Sequence, residues 1–467
     1  MTVLDRPAVL PDLFVRWFAS RGWAPRAHQL DLLAKAQAGR SVLLIAPTGG
    51  GKTLAGFLPS LVELSGAAPI PLTPQSGREQ IQKPQRKLFS TGRGVQREGG
   101  LHTLYISPLK ALAVDIARNL EAPVAEMQLP IRIETRTGDT PVSKRQRQRR
   151  DPPEILLTTP EQLALLLASA DAPYLFGSLK RVILDELHAL VLSKRGDLLS
   201  LGLARLFRLA PDIASIGLSA TVAQPAELAR FMVPQRGTPS AASADLIIAE
   251  GGAAPHVIML DTRERLPWAG HSARHALEEI YHLIAAHRTT LVFVNTRSQA
   301  EAIFQQLWHI NDGNLAIALH HGSLDVAQRR KVETAMGAGR LRAVVCTSSL
   351  DLGVDWGDVD LVVNVGAPKG ASRLLQRIGR ANHRMDEPSK GVLVPANRFE
   401  VLECRAALDA IAENAQDTPP LRTGALDVLA QHVLGCACGE PFRSEELYDE
   451  VTTAAPYAAL ARADFDA

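Results

Sequence analysis

Little in this chain of 467 residues suits chemistry outside the cell or within a membrane. It has only four cysteines. Cys346 sits in an apolar run, Cys404 stands alone, and Cys436 and Cys438 form a lone C-x-C. A structural zinc usually takes four ligands and no second pair is present, so neither a zinc ribbon nor a disulfide framework is expected. Small buried thiols in a reducing cytoplasm fit instead. No apolar stretch approaches the roughly 20 residues that span a bilayer. The segment Met1 to Leu13 carries Asp5 and Asp12 and lacks the apolar centre of a secretory signal. Charge of one sign is also lacking: the formal net charge is +2, so bulk charge does not argue for nucleic acid.

What is present is local. Lys144, Arg145, Arg147, Arg149 and Arg150 crowd one stretch, and residues 78–97 add further basic side chains. The end of the chain is acidic, with Glu445, Glu446, Asp449, Glu450, Asp464 and Asp466. Such runs are ordinarily solvated faces. The length suggests about three domains.

Short apolar runs alternate with amphipathic stretches. Ser41 to Ala46, Thr103 to Ser107, Glu154 to Thr158, Val182 to Leu184 and Ala214 to Leu218 read as buried strands. Ala111 to Leu120 and Glu161 to Ser169 read as helices between them. This alternation predicts a parallel sheet covered on both faces. A second series follows at Thr290 to Val294, Ala316 to Leu319, Ala343 to Cys346, Leu361 to Val365 and Gly391 to Pro395. Two α/β lobes are therefore expected, joined near residues 248–256. Residues 64–100, rich in Pro, Gly, Ser and Gln, read as a surface insertion. Beyond about residue 420 the pattern turns helical, at Ala425 to Leu434 and Ser444 to Val451.

The first strand runs into Ala46-Pro-Thr48-Gly49-Gly50-Gly51-Lys52-Thr53 and then a helical stretch. This matches the phosphate-binding loop, except that Ala46 holds the first glycine position. The glycines let backbone N–H groups close around phosphate oxygens, and the helix adds its positive end. Lys52 is expected at the β- and γ-phosphates of ATP, and Thr53 on Mg2+. A second element must supply the metal carboxylate and the base. Arg181-Val-Ile-Leu-Asp185-Glu186-Leu-His188 does so, with two acids at a strand's C-terminal end, where open α/β sheets bind ligands. Asp185 is the expected Mg2+ ligand, and Glu186 the base or water-positioner.

With these two elements the chain resembles the DExH branch of superfamily 2 helicases, and the family's other motifs follow in order. The resemblance implies two RecA-like lobes with parallel sheets, at residues 1–250 and 251–420. A partial helical, winged-helix-like segment follows at 421–467. Arg26 and Gln29 resemble the adenine-reading segment. Ser107, Pro108 and Lys110, then Thr137 and Gly138, then Thr159 and Pro160, resemble lobe-one motifs that track a nucleic-acid strand. Such hydroxyls and amides suit phosphates without reading sequence. Ser219 and Thr221, with His188, resemble the elements that couple ATP state to lobe closure. In lobe two, Asn295, Arg297, His321, Gly322 and Thr347 resemble nucleic-acid contacts, although a His pair alone is more often structural. Gly353 and Asp355 lie where the family binds the ribose. Gln376, Arg377 and Arg380 lie in the last motif, with Arg380 as arginine finger. His383 occupies the second arginine position, leaving open whether Arg377 or Arg384 substitutes.

Within that branch the chain resembles the large helicase-related (Lhr) group, and more narrowly the bacterial ligase-associated DNA damage response helicases. This rests on Pro47 to Thr53, Ser107 to Leu112, Thr347 to Leu350, and Gln376 to Ala381 with His383. Asp351 and Asn382 depart from the expected Glu and Gly. The resemblance implies a cytoplasmic, nucleoid-associated ATPase moving 3′ to 5′ on DNA and opening duplexes or RNA:DNA hybrids. DNA-repair enzymes such as a ligase or nuclease would be its partners. An RNA helicase or remodeler on the same lobes, or a non-catalytic clamp switched by ATP, are the competing readings. Lys52, Glu186 and Arg380 together speak against the clamp. Leu421 to Ala467 resembles a winged helix stopped before its wing, which leaves Leu447, Tyr448 and Phe465 expected on an incompletely covered surface.

Overall fold

The computed structural model describes residues 10–47, 49–66, 100–220, 222–235, 242–249, 253–351, 359–382, 387–413, 415, 417 and 420–467. The stretch read as an insertion lies almost entirely outside these residues.

Seven strands form the first sheet: β1 (Val42–Ile45), β2 (Thr103–Ile106), β3 (Ile133–Thr135), β4 (Ile155–Thr158), β5 (Arg181–Leu184), β6 (Ala214–Ser219) and β7 (Asp245–Ile248). They lie in the order β3-β4-β2-β5-β6-β1-β7, every pairing parallel. β1, β2, β4, β5 and β6 are buried along their whole length, as strands covered on both faces must be. Phe57, Leu58 and Leu61 fill one side, and Leu199, Leu203 and Leu206 the other.

The second sheet has β8 (His256–Met259), β9 (Thr290–Phe293), β10 (Ile317–His320), β11 (Ala343–Cys346), β12 (Leu361–Val365) and β13 (Lys390–Val394). Their order is β10-β11-β9-β12-β13-β8, again parallel throughout. The chain thus leaves the first sheet after Ile248 and enters the second at His256. Parallel strands put the loops after all of them on one edge, so both lobes present their loops from C-terminal edges.

The C-terminal segment corrects one expectation. Leu447 and Val451 are fully buried. With Val428, Leu429 and Cys436 they pack onto Leu198, Leu201 and Ala204 of the lobe-one helix Lys194–Leu209. Tyr448 donates to the Leu460 carbonyl (2.8 Å) and meets Phe465 edge-on at 5.3 Å. Phe465 is partly buried against the same cluster. The apolar stripes therefore have a partner within the chain. No described helix is long and apolar enough to cross a membrane.

Candidate ATP and nucleic-acid sites

The loop after β1 is shaped by its glycines. Gly49 and Gly51 have φ of 76° and 72°, a backbone region that favours glycine. A Cβ on Gly51 would sit 2.8 Å from the Gln29 amide nitrogen. Gln29 is buried against this loop: its Oε1 accepts from the Arg26 N–H (2.9 Å), and its Nε2 donates to the Gly51 carbonyl (3.3 Å). Arg26 donates to the Gly49 carbonyl at 3.2 Å. Lys52 begins the helix Lys52–Leu64 and donates from Nζ to the Ala46 carbonyl (2.9 Å). Thr48 lies outside the described residues.

The acids follow β5, two strands from β1. Both are buried. Asp185 Oδ1 accepts from the Glu186 N–H (2.9 Å), and Oδ2 accepts from the Tyr105 hydroxyl (2.5 Å). Glu186 stands at φ 48°, a left-handed conformation uncommon for a side chain of this size, of the kind that gathers at functional sites. Burial pushes the Asp185 carboxyl up from its usual range, and the Glu186 charge adds to the effect. Burial opposes the Glu186 charge too, but His188, Lys52 and Arg380 outweigh it and hold that carboxyl below its usual value. Burial also lowers the Lys52 ammonium, against the pull of both acids. Two adjacent buried carboxylates, one of them disfavoured as an anion, are a donor set that a divalent cation fits. Thr53 lines the same cleft.

That cleft has a volume of about 860 Å³. It is lined by Arg26, Gln29, the three loop glycines, Lys52, Thr53, Asp185, Glu186 and, from lobe two, Arg380. His188 Nε2 lies 3.5 Å from Glu186 Oε2, and His188 Nδ1 lies 3.0 Å from Ser219 Oγ. The Gln376 amide reaches the same imidazole from lobe two, 3.5 Å from Nε2. Arg377, the other arginine candidate of this motif, does not line the cleft. It turns into lobe two, donating to Asp351 (2.9 Å) and Asn364 (2.6 Å) with its guanidinium over Phe293. Asp351 also accepts from Arg373 at 2.8 Å, so the aspartate that departs from the family pattern anchors two arginines. Thr221, Gly353, Asp355, His383 and Arg384 lie outside the described residues.

The strand-tracking candidates fall on adjacent loops. In lobe one they follow β2, β3 and β4, which are neighbours. Ser107 is buried and donates to the Leu109 carbonyl (2.7 Å), leading through Pro108 to Lys110. The Thr137 N–H donates to Thr140 Oγ1 (2.9 Å). Lys110 crosses Gly138 to reach Asp139 at 3.2 Å, and a Cβ on Gly138 would meet its Nζ at 2.8 Å. Thr159 precedes the helix Pro160–Leu167. In lobe two, Asn295 follows β9, His321 and Gly322 follow β10, and Thr347 follows β11, again neighbours. Asn295 Nδ2 donates to the Ala367 carbonyl (2.9 Å), and Arg297 is exposed at its helix start. His321 departs from expectation. It is buried, with Nε2 3.1 Å from Glu301, so that side chain braces its loop.

Three residues escaped the motif reading. Tyr105 sits in an apolar strand, and its sequence signal was a hydroxyl that must find a buried partner. His28 Nε2 lies 2.8 Å from the Gly50 carbonyl. Arg145, part of the basic run, donates to the Thr140 (2.6 Å) and Gly138 (2.7 Å) carbonyls and props that loop.

Residues 26–229 match the DEAD/DEAH box helicase family, 272–385 the helicase conserved C-terminal domain, and 409–467 the winged helix domain of large helicase-related protein. The chain is 37% identical to the Lhr helicase/probable uracil glycosylase of Mycolicibacterium smegmatis, over 97% of its own length and 31% of that protein. It is 36% identical to the ATP-dependent helicase Lhr-Core of Methanothermobacter thermautotrophicus, over 91% of its length and 48% of that protein. The structure of Mycobacterium smegmatis helicase Lhr bound to ssDNA and AMP-PNP superposes with a TM-score of 0.82 at 35% identity, covering 100% of this chain and 57% of that one. The chain thus spans between about a third and about half of the curated relatives' length. Two parallel-sheet lobes closing on a shared cleft, followed by this winged-helix match, place the chain in the Lhr family of DEAD/DEAH box helicases.

Proposed function

We propose that this chain is an ATP-driven translocase of the Lhr type that moves on single-stranded DNA and opens duplexes ahead of it. One observation carries the reading: Lys52, Asp185 and Glu186 of lobe one and Arg380 of lobe two line a single cleft. In this reading the loop amides and Lys52 hold the ATP phosphates. Glu186 positions the attacking water and takes its proton, and Arg380 neutralises charge as the γ-phosphoryl departs. Thr53 and Asp185 would hold Mg2+, which offsets phosphate charge when bound. The path Glu186–His188–Ser219, met by Gln376, suits the coupling of ATP state to lobe movement. The loops after β2, β3 and β4, and after β9, β10 and β11, would grip the strand through phosphates.

The 3′ to 5′ direction, action on RNA:DNA hybrids and a role in DNA repair alongside a ligase or nuclease rest on the family resemblance. The test is ATP turnover titrated with single-stranded DNA, single-stranded RNA and duplex. Stimulation by DNA well beyond RNA is expected, and Glu186→Gln should bind ATP yet turn it over at least ~100-fold more slowly. Stronger stimulation by RNA would favour an RNA helicase. Absence of turnover with every nucleic acid would favour a switchable clamp.

A further inference from the structure

We propose that His432, Cys436 and Glu450 form a zinc-binding site where the C-terminal helices meet lobe one. The three residues are buried, and their ligand atoms all lie within 4.8 Å of one another. His432 and Cys436 are one turn apart on the helix Leu426–Gly439, so they share a face. Glu450 comes from the helix Ser444–Thr452. His432 Nε2 lies 3.6 Å from Cys436 Sγ and 3.9 Å from Glu450 Oε1. Zinc bonds of 2.0–2.3 Å in a tetrahedron give ligand–ligand edges of about 3.3–3.8 Å, so the His432–Cys436 span already fits and the others, within 4.8 Å, need to close by about 1 Å at most.

The two oxygens of Glu450 are unequal. Oε2 accepts from Arg205 (3.0 Å) and Arg208 (3.2 Å). Oε1 is buried without a hydrogen-bond partner and faces the imidazole. A carboxylate that binds metal through one oxygen while arginine holds the other is a common support for a metal ligand. The arginines do not make the site cationic. Arg205 also pairs with Glu440 (2.8 Å) and Arg208 with Glu446 (2.9 Å). A thiolate and a carboxylate would balance Zn2+. Three protein ligands leave a fourth position for water, and the softness of sulfur with imidazole selects zinc over calcium or magnesium. The ion would tie both C-terminal helices to each other, and through Arg205 to lobe one. None of this depends on the helicase reading.

The test uses the full chain, stripped of metal, equilibrated with Zn2+ and desalted. Elemental analysis should find one zinc per chain. Co2+ in its place should give a sulfur-to-cobalt charge-transfer band. Cys436→Ser should lose the band and retain zinc at least ~100-fold more weakly, and Glu450→Gln should also weaken zinc retention while keeping the band wherever cobalt still binds, because losing a ligand costs more than losing a supporting partner. Cys438→Ser, at an exposed thiol, should keep both signals. Wild-type protein that holds no zinc and shows no cobalt band overturns the proposal even if a variant misfolds. Equal zinc in wild type and in folded Cys436→Ser overturns it as well.

Discussion

Asp185→Asn should make the nucleotide-free protein more stable while ending its ATP turnover. The carboxyl is buried beside Glu186, and these two effects raise its pKa from 3.8 to about 6. A carboxyl that binds its proton more tightly folded than unfolded supports the fold below about 3.8 and loses that support as pH rises through about 6. At pH 7.5 the anion is therefore a net cost. At 1.36 kcal/mol per unit the displacement is worth at most about 3 kcal/mol, and water entering the cleft reduces this to roughly 1–2. Asparagine matches the shape: its Oδ1 can still accept from the Glu186 N–H, while its Nδ2 can only donate to the Tyr105 hydroxyl oxygen, which reverses that hydrogen bond and offsets part of the gain.

For a lobe of this size, 1 kcal/mol shifts a melting midpoint by about 2–4 °C. Thermal melts should thus show the variant about 2–8 °C above wild type at pH 7.5, with the gap closing by pH 4. Adding Mg2+ and a non-hydrolysable ATP analogue should reverse the order. A ligand at 100 times its Kd stabilises by about 2.7 kcal/mol, and the variant, lacking the carboxylate proposed to hold Mg2+, should gain far less. A variant that melts below wild type at pH 7.5 without nucleotide refutes the argument. So does a gap that persists at pH 4.

Arg380→Ala should lower turnover by roughly 10³, most in the nucleic-acid-stimulated rate, because a finger from lobe two acts once the lobes close; equal fractional loss with and without DNA would count against it. Ser219→Ala removes the 3.0 Å contact with His188 and should cut strand displacement per ATP about tenfold while ATPase falls only a few-fold; proportional loss of both would leave coupling unsupported. Glu63→Gln tests a charge held down to about 2: burial opposes the anion, but hydrogen bonds from His102 and Arg181 prevail. Its support is present above the unfolded value of 4.5 and lost as pH falls towards 2, so the variant should be less stable at pH 7 by roughly 1 kcal/mol, discounted for partial exposure, with the difference narrowing in acid denaturation below pH 4. Leu447→Ala should cost about 2–5 kcal/mol of local stability, read as faster amide exchange in both C-terminal helices; unchanged exchange would mean that its burial against lobe one matters little.

The strands that sequence reveals are those at sheet centres, with β10 the one edge strand also read. β1, β2, β4, β5 and β6 are continuous apolar runs because both faces are covered. The three strands missed, β3, β7 and β8, all stand at sheet edges. There half-exposed residues such as Leu246, Ile248 and Ile258 mix with polar ones and blur the pattern. At the cleft, motif spacing grouped Lys52, Asp185, Glu186 and Arg380, and the four line one pocket, since the proposed phosphate site constrains both residue type and order. It did not separate Arg377 from Arg380. The two are three residues apart, Arg377 in the last turn of the helix Ala371–Ile378 and Arg380 in the turn after it, and only packing shows that Arg377 is claimed by Asp351 and Asn364. Nor could it see Tyr105 meeting Asp185, a contact made across neighbouring strands 80 residues apart.

The C-terminal expectation failed for a different reason, and the missing signal lay elsewhere in the chain. The stripes on Leu426–Gly439 and Ser444–Thr452 show that a partner is needed but not which one. The helix Lys194–Leu209 holds the answer, because it is buried nearly all round between Gly196 and Leu206. Leu199, Leu203 and Leu206 face the lobe-one core, while Leu198, Leu201 and Ala204 face the C-terminal helices. A helix apolar on two sides in a layered α/β lobe has two partners, since the sheet can cover only one. The polar residues agree. Asp197 accepts from the Ala425 N–H (3.2 Å), and Arg205 reaches Glu440 and Glu450. This helix begins six residues after His188, so the element that braces the C-terminal segment continues directly from the acids of the cleft. Any movement of Glu186 and His188 with nucleotide therefore has a short, well-packed route to the C-terminal helices, without passing through lobe two.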